Sequence, residues 1–389
     1  MDGGRPADAD HPGEEDPRVG LAAALRAARS ARCPGPDTPA GPAVPDWAGP
    51  RLPIPHAGPA QLDLRALLRL SLAASDGSGR LRPAPSAGAL HPVDTALVVG
   101  SGCSLPPGRY GYDPLRHRVH RLGRQPAATP PGVTVELSVT ARRTASHYGH
   151  RAWPLLLLDT GHAVGALLLA ARALGCEEPE LRLEGEARSP LAAVRIRPTG
   201  PAQRLQAPRS APPSAGTPTP GELLARRSTP PPLPGTPPPY ALRAVLRRAS
   251  RAGGGDLRWA AAVGPPRPGL TELTPDGTAL RRCAAGETRP TLAAWAAGQA
   301  WIADAGAVLL ARGCPGDAGA AHIRRTHLRA GLAVHLAHVT ALRHGLTARP
   351  VGSWQQADLG AAVGGAPDRD WIVHGLALGT LHAAEENTA

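Results

Sequence analysis

Two stretches of this 389-residue chain repeat one another, and that repeat limits the fold more than any other feature. PGRYGYDP at 107–114 matches PGLTELTP at 268–275, with Pro-Gly leading to a second Pro at the same distance. Gly161-x-Ala163-Val164 likewise matches Gly331-x-Ala333-Val334, and Gly175 and Gly345 close the two segments. The matches come in the same order, 161 positions apart for Pro107 and Pro268 and 170 for Gly161 and Gly331. Solenoid repeats run about 20–50 residues, so this period is too long for one. It fits two tandem globular domains. Two copies of one unit in one chain can pack together as twin subunits do. The expectation is an α+β chain whose halves form an intramolecular pseudo-dimer.

Apolar periodicity places the elements. In the first half it predicts helices at 19–32 and 62–74, a strand at 95–99, a hairpin at 107–122, a strand at 133–141 and a long helix at 154–175. In the second half it predicts a helix at 240–250, a strand at 257–263, a hairpin at 268–283, a helix at 290–303, a strand at 306–311 and a long helix at 323–344. Residues 1–18 read as disordered, and 199–221 as a linker rich in Pro, Ser and Thr. The chain divides into a lead-in at 1–59, a first domain at 60–200, a linker at 201–220 and a second domain at 221–389.

Charge and cysteine usage narrow the function. The net charge is +12, but all 43 basic residues are Arg, spread without a dense run. Seven Trp and four Tyr offer few stacking platforms, so nucleic acid is not an expected partner. Cys33, Cys103, Cys176, Cys283 and Cys314 lie far apart with no CxxC, which argues against both disulfides and zinc. His335 and His338 share a helix at i, i+3 without a nearby Cys or carboxylate cluster, so no metal site is expected. The acidic N-terminus has no apolar core of the signal-peptide kind. Asp159, His162 and Arg172 interrupt the apolar run at 155–174, which reads as a buried helix rather than a membrane span. A soluble, cytoplasmic protein without a membrane partner is expected.

The chemistry-bearing segments are few. In RPAPSAGALHP at 82–92, Pro85, Ser86, Ala87 and Gly88 let a flat ligand approach the backbone, and Ser86 offers a hydroxyl. His91 suits a role in orienting that loop. ELLARRSTP at 222–230 carries Arg226 and Arg227, which suit a forked grip on phosphate, followed by Ser228. GLTARPVGSW at 345–354 carries Pro350, Val351 and Gly352 in a Pro-x-Gly loop. His147 and Tyr148 can handle protons.

The run LLRLSLAASDGSGRLRPAPSAGALHPVDTALVV, then PPGRYGYDPLRHRVHRL and SHYGHRAWPLLLLDTGHAVGALLLAARALG, resembles the SagB-type dehydrogenases of the nitroreductase superfamily over most of residues 60–176. ELLARRSTP, GQAWIADAGAVLL and GLTARPVGSW in the second half are similar to the same superfamily more weakly. The resemblance implies two nitroreductase-like, FMN-binding domains. It also implies that one flavin site takes Arg-Arg-Ser and Pro-x-Gly from one half and the Pro-Ser loop from the other. The losses in this chain are complementary. The first half keeps PSAGALHP, but its best Arg-Ser-x-Arg match is Arg29, Ser30 and Arg32, far upstream, and GCEEPEL replaces its Pro-x-Gly loop. The second half has no room for PSAGALHP. Pro230 also stands where the last Arg of Arg-Arg-Ser-x-Arg belongs, and His147-Tyr148 where the dehydrogenases have Lys-Tyr.

One composite FMN site per chain is therefore expected. The resemblance implies oxidation of azoline rings to azoles in a modified precursor peptide, in company with a cyclodehydratase complex. The alternatives are reduction of dehydroamino acids or small nitro or quinone compounds, and a flavin-free scaffold in a peptide-modifying complex. The oligomeric state, monomer or higher, stays open.

Overall fold

The structure is a computed structural model that describes residues 17–124, 129–183, 190–198 and 217–380. The disorder expected at 1–18 falls almost wholly outside these residues, as does most of the 201–220 linker. The first half begins with helix α1 (Pro17–Arg29), strand β1 (Arg51–Pro53) and helix α2 (Leu64–Ser71). Strands β2 (Val93–Val99), β3 (Gly108–Asp113), β4 (Arg118–Gly123) and β5 (Val133–Val139) follow. Helices α3 (Ala141–Tyr148) and α4 (Ala152–Ala173) lead to β6 (Glu180–Arg182) and β7 (Ala192–Ile196). The second half runs α5 (Pro220–Ala225), α6 (Pro239–Gly253), β8 (Leu257–Val263), β9 (Gly269–Leu273), β10 (Leu280–Ala285), α7 (Arg289–Trp295), β11 (Ala307–Gly313), α8 (Ala320–Arg343), β12 (Leu346–Val351), α9 (Leu359–Ala362) and β13 (Trp371–Thr380).

Each half builds one antiparallel sheet. The orders are β1-β4-β3-β2-β5-β7-β6 and β10-β9-β8-β11-β13-β12. Leaving out the edge strand β1, the two orders are the same when each strand is matched to the one six places later. In both, the long helix follows the strand that comes after the hairpin in sequence and pairs with the strand before it, β5 with β2 and β11 with β8, so the repeat in the sequence is a repeat of topology. The halves also share their interiors. The core around the first sheet includes Leu332, Leu336 and Val339 from α8, together with Leu223 from α5. One core of the second half includes Leu155, Leu157 and Leu158 from α4, and Leu21 and Leu25 from α1. Each long helix thus completes the other half's core. This is an extensive apolar interface, as in an obligate dimer, rather than a loose contact between domains.

The stretch Ala141–Ala173 is long and apolar enough to cross a membrane, with a mean hydropathy of 1.6, but its apolar window is wholly buried. It is apolar around its whole circumference because protein surrounds it. Two expectations need adjustment. The helix expected at 290–303 is broken after Trp295, where Ala297 (φ 57°) and Gly298 (φ 73°) turn left-handed, and it resumes as a 3₁₀ turn at Ala300–Asp304. Each half also ends in two strands, β6–β7 and β12–β13, that periodicity did not mark. Eight consecutive residues of β13 are buried, so it shows no alternation to read.

Candidate functional site

The middle of α4 gathers the segments singled out above. Asp159, on that helix, lies under the Pro-Ser loop. Ser86 Oγ donates to Asp159 Oδ2 (2.8 Å), and the Ala87 N–H donates to Asp159 Oδ1 (3.1 Å). The His91 N–H donates back to Ser86 Oγ (2.9 Å), and His91 Nε2 meets the Arg80 carbonyl (3.0 Å), so His91 braces the loop. Gly88 is left-handed at φ 60°, and a side chain there would meet Tyr148 Oη at 3.3 Å. Small residues are needed here because the loop turns tightly between α4 and a phenol.

The second half arrives from the other side. Residues 226–229 run beside β12, where the Thr229 N–H donates to the Ala348 carbonyl (2.9 Å). Arg226 is 4% exposed and reaches across to the first half. Its Nε donates to the Pro83 carbonyl (2.6 Å) and its Nη2 to the Arg82 carbonyl (2.9 Å), while Nη1 is buried without a partner. Burial pushes this guanidinium down to about 10, with Arg227 adding to the effect, so it remains a cation at neutral pH. Arg227 is exposed and donates to the Leu224 and Arg226 carbonyls. Ser228 is half-buried. Pro350 lies in β12, and the Val351 carbonyl accepts from Trp354 Nε1 (2.9 Å) and His374 Nδ1 (3.0 Å). Gly352 lies on α4, where a Cβ would come within 2.8 Å of Leu155 Cδ2, one turn before Asp159.

Ser86, Ala87 and Gly88 from one half, and Arg226 and Gly352 from the other, therefore border one stretch of one helix. His147 does not join them. It is half-exposed and pairs with Asp37 at 3.0 Å, while its neighbour Tyr148 turns inward to Gly88. Burial raises the Tyr148 phenol, and Asp159 raises it further, so it holds its proton at neutral pH. Burial also pushes the Asp159 carboxyl up to about 7, against the pull of the Ser86 and Ala87 hydrogen bonds. The titratable side chains beside the loop are thus Tyr148 and Asp159, and His147 lies apart from them. Sequence reading noted Asp159 only as an interruption in an apolar run. A lone carboxylate in such a run is itself the signal, because burying it demands donors.

Arg29 mirrors Arg226. It donates through Nη2 to the Cys314 carbonyl of the second half (2.7 Å), stacks over the Trp371 ring at 4.7 Å and leaves Nη1 buried without a partner. The Ser30 and Arg32 carbonyls accept from Gln355 Nε2, just beyond the Gly352 loop. Each half thus sends one buried arginine to backbone carbonyls of the other. One shallow cleft lies by Arg29, Gly352 and Trp354. Another lies by Ser86, Arg82 and Asp159.

Asp159→Asn tests the carboxyl. The folded protein holds this proton more tightly than the unfolded chain, whose aspartate titrates near 3.8. The wild type therefore loses stability as pH rises from about 4 through 7. The amide carries no charge, so between pH 4 and pH 8 the variant should gain about 4 kcal/mol on the wild type, on top of a pH-independent cost from the lost Ser86 hydrogen bond. Urea unfolding at the two pH values measures this, and parallel pH profiles would refute it.

No family model matches the chain, and no curated protein resembles it significantly. Among solved structures, a protein assigned as a nitroreductase from Anabaena variabilis superposes with a TM-score of 0.65 at 18% identity, covering 82% of this chain and 87% of that one. The match spans both halves, so the fold is nitroreductase-like and α+β, with the two units in tandem. A Desulfovibrio desulfuricans nitroreductase assignment solved with FMN matches 41% of this chain and 83% of its own, at 20% identity and a TM-score of 0.30. The Escherichia coli microcin synthetase McbBCD complex matches over 40% and 71%, at 18% and 0.29.

Proposed function

We propose that this nitroreductase-like chain is an FMN-dependent oxidoreductase with one composite flavin site, and that its substrate is an azoline-bearing modified peptide oxidised to the azole. The observation that carries the proposal is the convergence on α4 of three segments drawn from the two halves. The residues fit the cofactor. Arg226 Nη1 is a buried cationic donor without a partner, which suits a phosphate oxygen. Ser228 suits a ribityl hydroxyl, and Arg227 adds positive charge at the solvent edge. The bare backbones of Gly88 and Gly352, with Pro85, Ser86, Ala87, Pro350 and Val351, suit the two sides of a flat ring. FMN, when bound, supplies two-electron hydride exchange. Asp159, whose carboxyl is pushed up to about 7, can in its ionised form accept the proton that leaves a ring carbon, while Tyr148 keeps its proton and can donate a hydrogen bond. A precursor peptide and a cyclodehydratase complex are the partners this reading implies. Reduction of dehydroamino acids or of nitro or quinone compounds would use the same site.

A second reading, a flavin-free scaffold for a peptide-modifying complex, is favoured by specific contacts. Two donors of Arg226 already serve backbone carbonyls, and Ser86 already serves Asp159. Neither described cleft joins Ser86 to Gly352. Flavin released on denaturing the purified protein decides between the readings. The oxidoreductase reading expects one FMN per chain, and Arg226→Ala should weaken FMN binding at least tenfold. Colourless protein that takes up no added FMN would establish the scaffold reading. Two flavins per chain, or unchanged affinity in the variant, would show that the composite site is misplaced.

A further inference from the structure

The cleft by Arg82 in the first half, which Asp94 and Asp159 also line, holds a cation with no ion-pair partner among the described residues. It opens behind the Pro-Ser loop, between α4 and the Pro-rich lead-in, and no residue of the second half lines it. Arg82 lies in its wall, 9% exposed. Its Nε donates to the Gly79 carbonyl (3.1 Å), and among the described residues its two Nη groups have no hydrogen-bond partner and no carboxylate within ion-pair range. The nearby acids are engaged. Asp94 takes Arg143 on one oxygen (2.7 Å) and Thr140 on the other (2.5 Å). Asp113 caps the turn at Leu115 and Arg116, and Asp159 is held by Ser86 and Ala87. A buried guanidinium without a counter-charge is costly unless a ligand supplies one.

The surroundings define that ligand. Val44, Leu72, Pro92 and Pro114 line the cleft with apolar surface. Leu81 and Leu115, next in sequence to Arg82 and Pro114, are 46% and 37% exposed, more than is usual for leucine. Two parallel N–H donors match the two oxygens of a carboxylate. No second cation lines the cleft to balance the higher charge of a phosphate. We propose that this cleft is a binding site for a carboxylate carried on an apolar body, gripped by Arg82. Such a group is either the C-terminal end of an apolar peptide or a free aliphatic acid. The cleft borders the proposed flavin site and shares Pro85, Ser86 and Asp159 with it, but the grip of Arg82 on a carboxylate does not require a flavin.

Calorimetric titration of the full chain with hexanoate, and with N-acetyl-Pro-Leu-Leu as the free acid and as the amide, tests this. At least one acid should bind with Kd below about 1 mM, and the peptide amide should bind at least tenfold more weakly than its acid if the peptide is the ligand. Binding of hexanoate alone identifies the small acid, and binding of the peptide acid alone identifies the chain end. Arg82→Gln should weaken binding at least tenfold. Should that variant not fold, Ala43→Trp, on the exposed rim, should block entry instead. Absence of binding by both acids, equal binding of acid and amide, or unchanged binding in either folded variant would overturn the proposal.

Discussion

The native state should be lost sharply near pH 5, well before general acid denaturation, because the fold buries neutral imidazoles that have nowhere to place a second proton. Among the described residues six histidines are buried: His91, His162, His327, His335, His338 and His374. Several are fixed in the neutral form by their contacts. His374 Nδ1 faces the Val351 carbonyl (3.0 Å), which can only accept, so that nitrogen carries the hydrogen. Its Nε2 is then a lone pair that accepts from His162 Nε2 at 2.9 Å. His162 Nδ1 is left as a second lone pair, buried and without a partner. A proton on His374 would set two N–H groups against each other, and one on His162 would create a buried donor with no acceptor. His338 is similar, with Nε2 on the Arg227 carbonyl (3.1 Å) and Nδ1 unpartnered. The Arg226 cation repels charge on His162, His335 and His338.

Desolvation by burial is the main cause throughout. It pulls His91, His327 and His335 down to about 3 and His374 to about 4, and His162 and His338 well below the ordinary value of 6.5. The unfolded chain therefore binds protons that the folded chain refuses, and stability falls with pH below 6.5. Each such histidine costs about 1.4 kcal/mol per pH unit there, so three of them remove about 6 kcal/mol by pH 5. That is comparable with the whole stability of many domains, about 5–15 kcal/mol. Asp159 acts in the opposite direction, but it is one group. Unfolding followed by tryptophan fluorescence, with proton uptake measured in buffers of different ionisation heat, should show at least three protons taken up per chain unfolded near pH 5. Stability that stays level from pH 7 to 4.5 would contradict this account.

Sequence reading reached the repeat, the hairpins and both long helices because their signals are local. Pro-Gly fixes a turn, and an apolar run about twenty residues long has few readings besides helix. It missed β7 and β13 because strands buried on both faces lose the alternation that marks a strand. It placed Arg226 and Gly352 with the Pro-Ser loop only through resemblance, since nothing at 226 or 352 points by itself to residue 86. Asp159 and the buried histidines were invisible for a different reason. A polar residue in a helix shows its burial only once the partner helix is in place. His335 is an example: it fits because α4 offers Gly165 beneath it, where a Cβ would lie 2.9 Å from the His335 Cβ.

The same crossing makes the second large prediction. Gly161 and Gly331, matched in the sequence repeat, meet in space. A Cβ on Gly161 would lie 2.9 Å from the Gly331 Cα, and one on Gly331 would lie 3.1 Å from the Gly161 Cα. Each added carbon would also overlap a backbone carbonyl oxygen, that of Leu328 for Gly161 and that of Leu158 for Gly331. Leu158 and Leu328 are themselves 170 positions apart, the spacing of the glycines. Reciprocal contacts of this kind arise where a two-fold axis passes through an interface, so the glycines mark the pseudo-dimer axis. Mid-helix Gly→Ala ordinarily stabilises by about 1 kcal/mol through helix propensity. Here the backbone must part, and overpacking of about 3 kcal/mol or more outweighs that gain. Gly161→Ala and Gly331→Ala should each destabilise by about 2 kcal/mol. The double variant should cost less than the two together, because helices already parted by one methyl admit the second more easily. Denaturant unfolding of the three variants measures this. A rise in stability of about 1 kcal/mol in either single variant would mean that propensity alone governs these positions and that the helices do not cross here at backbone contact.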